Sequence, residues 1–235
     1  AQGRTCVKLS RGRYRVPRKI ELTDVDALTL DGNGSTLIFP PEGEMLAFIN
    51  CKQITVKDLT VDCKPLAFTQ GTITSVSKDH STFEYELHPG YPEHGTPGGM
   101  VTRKSGVFVF DAHTLRWCRD VPDLYPTALE TLSPTRGRVK LNSQFPGLQN
   151  ITVGDYVAFK NPKSNAFLFR GCGRILLQDV TVLNSPGCGF LLRTCYGPVR
   201  ATRCTIKRGP TPEDATHKRL LSSVADGFNL AYSRH

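Results

Sequence analysis

Leu46-Ala-Phe-Ile-Asn-Cys51-Lys-Gln-Ile54-Thr-Val56-Lys-Asp58-Leu59-Thr-Val61 and Phe167-Leu-Phe-Arg-Gly-Cys172-Gly-Arg-Ile175-Leu-Leu177-Gln-Asp179-Val180-Thr-Val182 align without a gap. Cys meets Cys, Ile meets Ile, Asp meets Asp and Thr-Val meets Thr-Val. A third copy follows the second: Phe190-Leu-Leu-Arg-Thr-Cys195, then Val199, Ala201, Cys204 and Ile206, with a single one-residue adjustment. Internal similarity of this kind marks a unit that cannot bury its apolar face alone and must stack on its neighbours. Within each copy, apolar and polar residues alternate, as in Ile54-Thr55-Val56 and Leu59-Thr60-Val61, which is the period of a half-buried strand. The Lys57-Asp58 step shifts the phase, as a corner must. A unit of ~23 residues with short strands and no helical period predicts one coil of a parallel β-helix, and the leucine-rich pattern of similar length is absent.

The flanking sequence extends this reading. Val7-Lys-Leu9, Tyr14-Arg-Val16, Ile20-Glu-Leu22, Leu28-Thr-Leu30 and Ser35-Thr-Leu37-Ile-Phe39 predict opening coils, with Asp31-Gly-Asn-Gly34 as a turn between the last two. Residues 65–163 break the period. Gly71-Thr-Ile-Thr-Ser-Val76, Phe83-Glu-Tyr-Glu-Leu87, Val107-Phe-Val-Phe110, Arg138-Val-Lys-Leu141 and Tyr156-Val-Ala-Phe159 alternate between Pro- and Gly-rich turns. They predict a small antiparallel β-barrel or sandwich inserted between coils. The expected fold is therefore all-β: β-helix coils over 1–64, the inserted domain over 65–163, and coils continuing over 164–235. Trp117 and Tyr91 fall in the insertion, where burial in its own core is the expectation and a sugar-stacking platform the alternative.

Bulk composition narrows the partners. The 235 residues are 39% hydrophobic and 22% charged, with 21 glycines and 16 prolines at many separate points, a globular and turn-rich composition. No apolar run approaches the ~20 residues of a membrane-spanning helix, so no membrane insertion is expected. Ala1–Arg4 do not read as a leader. The net charge is +9, but Lys and Arg are dispersed, without a basic run interleaved with aromatics, so nucleic acid is not expected as a partner. The eight cysteines form no C-x-x-C pair, which argues against zinc and leaves stacked buried thiols or one or two disulfides. The histidines lack metal-ligand spacing, no carboxylate cluster suggests calcium, and no cofactor fingerprint occurs. Neither metal nor cofactor is expected.

Leu30-Asp-Gly-Asn-Gly-Ser-Thr-Leu-Ile-Phe39 and Ile54-Thr-Val-Lys-Asp-Leu-Thr-Val-Asp62 resemble the opening coils of pectin-lyase-like right-handed parallel β-helix proteins. Pro65-Leu-Ala-Phe-Thr-Gln-Gly-Thr-Ile-Thr74 resembles the start of the inserted barrel in bacterial β-helical α-1,3-galactosidases. Leu220-Leu-Ser-Ser-Val-Ala-Asp226-Gly-Phe-Asn229 is similar to the Asp-Gly segment of that group and of polygalacturonases. The resemblance implies a secreted, periplasmic or cell-surface glycoside hydrolase-like protein acting on terminal α-galactosides or related glycans. A fold so widely used specifies chemistry poorly, so a non-catalytic glycan-binding or structural β-helix and a polysaccharide lyase stand as alternatives.

Glycoside hydrolysis ordinarily needs two carboxyl groups. Asp226 is the candidate catalytic residue: it precedes a coil strand, follows the irregular stretch 207–224, and has Gly227 beside it. A plain corner role explains the same pair. Asn229, His217, Arg219 and Arg193 are the candidate substrate-binding residues. Asp58 and Asp179, at equivalent positions, read as corner formers. The acidic pair that such hydrolases carry after the Asp-Gly segment is missing. The chain is therefore expected to be part of a longer protein, with little activity alone; sugar identity and oligomeric state are not readable.

Overall fold

The computed structural model describes residues 5–160 and 164–233. Ala1–Arg4, the end of the insertion at 161–163, and Arg234 and His235 of the terminal coil expectation lie outside the described residues. The chain divides into two units, one formed from 1–64, 163–209 and 222–235, the other from 65–162 and 210–221. Residues 210–221 thus count with the second unit rather than with the strands that flank them in sequence.

The first unit is all-β and parallel. One sheet contains β1 (Thr5–Lys8), β2 (Arg13–Arg15), β4 (Ala27–Phe39), β6 (Gln53–Cys63), β14 (Arg174–Val182), β16 (Val199–Thr202) and β17 (Thr205–Ile206), and the other contains β3 (Ile20–Thr23), β5 (Leu46–Ile49), β13 (Phe167–Arg170), β15 (Phe190–Arg193) and β18 (Phe228–Ala231). The chain alternates between the sheets, so each pass lays one strand or strand pair on the previous pass. The two segments aligned above lie side by side: Ile54 pairs with Ile175, Val56 with Leu177, Leu59 with Val180 and Val61 with Val182. All eight side chains are buried. The third segment continues the register, Ile175 with Val199 and Val182 with Ile206.

Like residue on like residue builds the core. Phe48 stacks on Phe169 at 5.0 Å, Phe167 on Phe190 at 4.9 Å and Phe190 on Phe228 at 4.4 Å, with rings within 16° of parallel. Phe48, Phe167, Phe169 and Phe190 are fully buried and each contributes on the order of 1.5–3 kcal/mol through removal from water, whereas Phe228 on the last strand stays 44% exposed. Beside them runs a ladder of small polar groups. The Cys51 thiol donates to the Leu22 carbonyl, Cys172 to Phe48, Cys195 to Phe169, and the Ser233 hydroxyl to Leu192. Each group reaches one strand back along the same sheet, so all four bonds run in one direction. All eight cysteines are free thiols, which settles the disulfide alternative, and Cys6 is the exposed one. The Cys172 thiol is pushed up by its hydrogen bond with Cys195 and by burial.

The corners are made by single left-handed residues. After the second sheet these are Asp24, Asn50, Gly171, Thr194 and Tyr232, all with φ between 52° and 62°. Within the first sheet, Asp58 and Asp179 turn the strand at φ 51° and 52°. Both are therefore corner residues. The expected Asp31–Gly34 turn is absorbed as a register shift inside β4, with Asn33 and Gly34 at positive φ. The connections differ in kind. Those from the second sheet back to the first are short (24–26, 50–52, 171–173, 194–198), whereas those from the first to the second (16–19, 40–45, 64–166, 183–189, 207–227) vary widely.

The second unit holds an antiparallel sheet in the order β10 (Pro126–Thr131), β11 (Arg136–Leu141), β8 (Thr82–Leu87), β7 (Phe68–Val76), β12 (Tyr156–Lys160), β9 (Gly106–Phe110). Its core includes Ile73, Phe83, Tyr85, Val107, Val109, Val139, Val157 and Phe159. Strand β10 has no counterpart in the sequence reading. It is an edge strand with mostly exposed side chains, paired with β11 across a bulge and by the Arg138–Glu130 ion pair. An edge strand with one solvated face and little apolar content leaves a weak alternation signal. Tyr91 is buried as expected, but Trp117 is 45% exposed, which corrects the expectation that it fills the core. The indole instead covers Phe108, on the face of β9 opposite the core residues Val107 and Val109, meeting its ring edge-on at 4.3 Å.

Candidate functional site

Asp226 lies immediately before β18 and is exposed. The Asn229 side-chain amide donates to its Oδ2 at 2.5 Å, and its carbonyl accepts from the Gly189 N–H. Side chains alternate along these strands, so Phe190 and Leu192 point into the core while Leu191 and Arg193 face out. Asn229 pairs with Leu191, and Arg193 sits beside Arg170 on the neighbouring strand, all on the outer face. The structure therefore joins Asp226 to Asn229 by a hydrogen bond and places Asn229 and Arg193 on the outer face of one sheet, two register positions apart. Arg193 and Arg170 offer planar forks of N–H donors, and Asp226 offers acceptors, a combination suited to hydroxyl-rich ligands.

The positions stacked next to Asp226 decide what chemistry this face supports. Two residues before the last four strands of the second sheet stand Glu44, Asn165, Cys188 and Asp226, in that order. The Glu44 carboxylate accepts from the Asn165 backbone N–H at 2.7 Å and from its side-chain amide, while Asn165 Oδ1 accepts from the Cys188 N–H. Burial pushes the Glu44 carboxyl up, against these hydrogen bonds. Glu44 is a candidate proton donor that the sequence reading missed; extending the segment alignment back by two residues places it in the Asp226 column. Three strand steps of ~4.8 Å separate the two backbones, well beyond the ~5–10 Å between the carboxyl groups of glycosidases.

His217 and Arg219 belong to the other unit. The His217 ring stacks on His88 at 3.6 Å and 15°, and Tyr156 meets both imidazoles edge-on. The Tyr91 hydroxyl donates to the His217 carbonyl at 2.7 Å; Gln70 donates to the Lys218 carbonyl and accepts from the Leu220 N–H. His88 is held by Gln70 and Thr72 at 3.1 and 2.9 Å. Burial, with repulsion from His217 second, pulls the His88 imidazole down to about 4. Tyr91 is pushed up to about 12 by burial, and Arg219 is itself buried. These contacts pack residues 210–221 against β7 and the end of β8. His217 is thereby half-buried against His88, and Arg219 is buried in the same unit.

A third feature was legible only as an alternative. A cavity of ≈ 570 Å³ is lined by Asp111, Thr114, Trp117, Cys118, Arg119, Asp120, Asn150, Thr152 and Asp155. Hydrogen bonds from Thr114 hold the Asp111 carboxyl below its ordinary range, and burial with the nearby Asp155 and Asp111 charges pushes the Cys118 thiol up to about 12. Among the described residues no group of three His, Cys, Asp or Glu side chains is arranged to hold a metal ion. Family profiles and curated proteins contain no match to this sequence.

Proposed function

We propose that the first unit is a right-handed parallel β-helix of the pectin-lyase-like kind and that its β13–β15–β18 face binds glycans. The observation that carries this reading is the pair Arg170 and Arg193 on adjacent strands of the outer face, with Asn229, two positions earlier in register on the next strand, hydrogen-bonded to Asp226. Two guanidinium groups one strand apart on a regular face can hold a hydroxyl-rich chain without rearrangement. The resemblance to β-helical α-1,3-galactosidases nominates terminal α-galactosides as the first ligands to try, at the cell surface or outside the cell. Hydrolysis needs a second carboxyl group near Asp226. Cys188 occupies the adjacent step, so binding is the activity assigned to these residues and cleavage is a separate outcome of the same assay.

The test is calorimetric titration with a panel of α-galactosides, with released galactose measured in parallel. Asp226→Asn and Arg193→Ala should each weaken binding by about tenfold, about 1.4 kcal/mol, while leaving the thermal midpoint unchanged. Equal affinity in both variants would remove this face from consideration. Galactose release lost in Asp226→Asn would instead extend the reading to a hydrolase.

A further inference from the structure

The Trp117 cavity in the second unit is built from a different set of residues, and it stands whether or not the β13–β15–β18 face binds sugar. Its platform is fixed. Phe110 and Trp117 form a bridge, the Asp111 N–H donates to the Arg116 carbonyl, the Leu115 N–H to Asp111, and the Cys118 N–H to Val109. Leu115 takes a left-handed φ of 54° to close this turn. The indole is thereby presented to solvent on a rigid hairpin, supported from beneath by Phe108. Trp117 leaves 45% of its surface exposed at this wall, a ring face available to a ligand.

The polar lining is rich in acceptors. Asp111 Oδ1 takes both hydrogen bonds from Thr114, and Asp155 Oδ2 takes both from Thr152, so the second oxygen of each carboxylate is left to other donors. The Asn150 amide donates to the Arg119 carbonyl, keeping its own carbonyl oxygen as an acceptor. Three carboxylates face one guanidinium, so the cavity is locally negative on a chain of net charge +9. An apolar ring face beside several acceptors matches a pyranose, which offers a C–H face on one side and hydroxyl donors around its edge. Negative charge disfavours a uronate and suits a neutral sugar.

We propose that this cavity is a second glycan-binding site, taking a neutral pyranose with its apolar face on Trp117 and its hydroxyls on Asp111, Asn150 and Asp155. Trp117 is the only tryptophan of the chain, so its emission reports occupancy of this site and no other. Methyl α-galactoside, methyl β-glucoside, a galactose trisaccharide and galacturonic acid are titrated into the 235-residue protein while indole fluorescence and heat are recorded. Saturable emission changes are expected with the neutral sugars and not with galacturonic acid. Trp117→Ala should remove the calorimetric signal of this site, and Asn150→Ala should weaken binding roughly tenfold. Asp226→Asn should leave the indole response intact. Silence of the indole with every neutral sugar, a response to galacturonic acid of equal strength, or unchanged site stoichiometry in a folded Trp117→Ala protein would each overturn the proposal.

Discussion

Thr194 shows how closely local conformation and stacking are tied in this chain. It is an exposed, β-branched residue at φ 52°, a region that costs such residues on the order of 1–2 kcal/mol. At the same corner the preceding passes place Asp24, Asn50 and Gly171, which tolerate it, and the following pass places Tyr232, which does not. The strain at Thr194 is partly offset by its hydroxyl, which donates to the Arg193 carbonyl at 2.7 Å. Thr194→Asn is expected to stabilise the protein by about 0.5–1 kcal/mol, raising the thermal midpoint by about 2 °C in a melting experiment. Thr194→Val, which keeps the branch and loses the hydroxyl, should lower it. The corner residues Asp58 and Asp179 were legible in sequence because they recur at one position with the strand phase changing across them. Thr194 was not, because no propensity rule places a β-branched residue there. Only the Asp, Asn and Gly at the same corner of the preceding passes give it away.

Among the elements, those with strong alternation were the easiest to read. β6 and β14 declare themselves through Ile, Val and Leu at fixed positions, and the structure places them in unbroken register. β10 is silent because it is held by a cross-strand ion pair rather than by burial. The segment 210–221 is harder still. It has no strand or helix, and what fixes it is a set of contacts to residues distant in sequence, Gln70, His88 and Tyr91. That is why His217 and Arg219 read as ligand-facing in the sequence and turn out to be packed. This docking should be pH-dependent. His88 is pulled down to about 4 in the folded protein, below the ordinary value of ~6.5, so the unfolded chain binds the proton first as pH falls. The stabilisation is complete above pH ~6.5 and is lost progressively as pH drops toward 4, by an amount on the order of 1–3 kcal/mol. Urea denaturation at pH 7.5 and pH 4.5 measures the loss; in His88→Gln the slope between the two should flatten. A slope that does not change would show that other groups carry it.

For the whole molecule, the decisive contrast lies between the two kinds of connection. The return from the second sheet to the first is short and nearly invariant, while the outward connection ranges from residues 16–19 to residues 64–166. The second unit is assembled from material in two of these outward connections, 65–162 and 210–221. Since 40–45 and 183–189 make the same passage without a domain, the stack does not depend on the inserted sheet for its register. Replacing residues 65–162 with a segment copied from 40–45 should therefore give a soluble chain that retains parallel strand pairing and unfolds cooperatively; circular dichroism and a urea titration would show it. A molten product with no cooperative transition would mean that the insertion carries part of the folding information. The candidate glycan face was only half legible from sequence. Asp226, Asn229 and Arg193 follow from register, but the Trp117 cavity depends on a hairpin whose turn closes through Leu115 in a left-handed conformation.

The one-directional ladder of Cys51, Cys172, Cys195 and Ser233 bears on the environments this fold tolerates. Its interior uses sulfur as a donor to carbonyls, and a hydroxyl takes the same place at one step without disturbing the pattern. No covalent cross-link is asked of these side chains. The ladder is thereby built without a disulfide, and cysteine abundance alone says nothing about which compartment the protein inhabits.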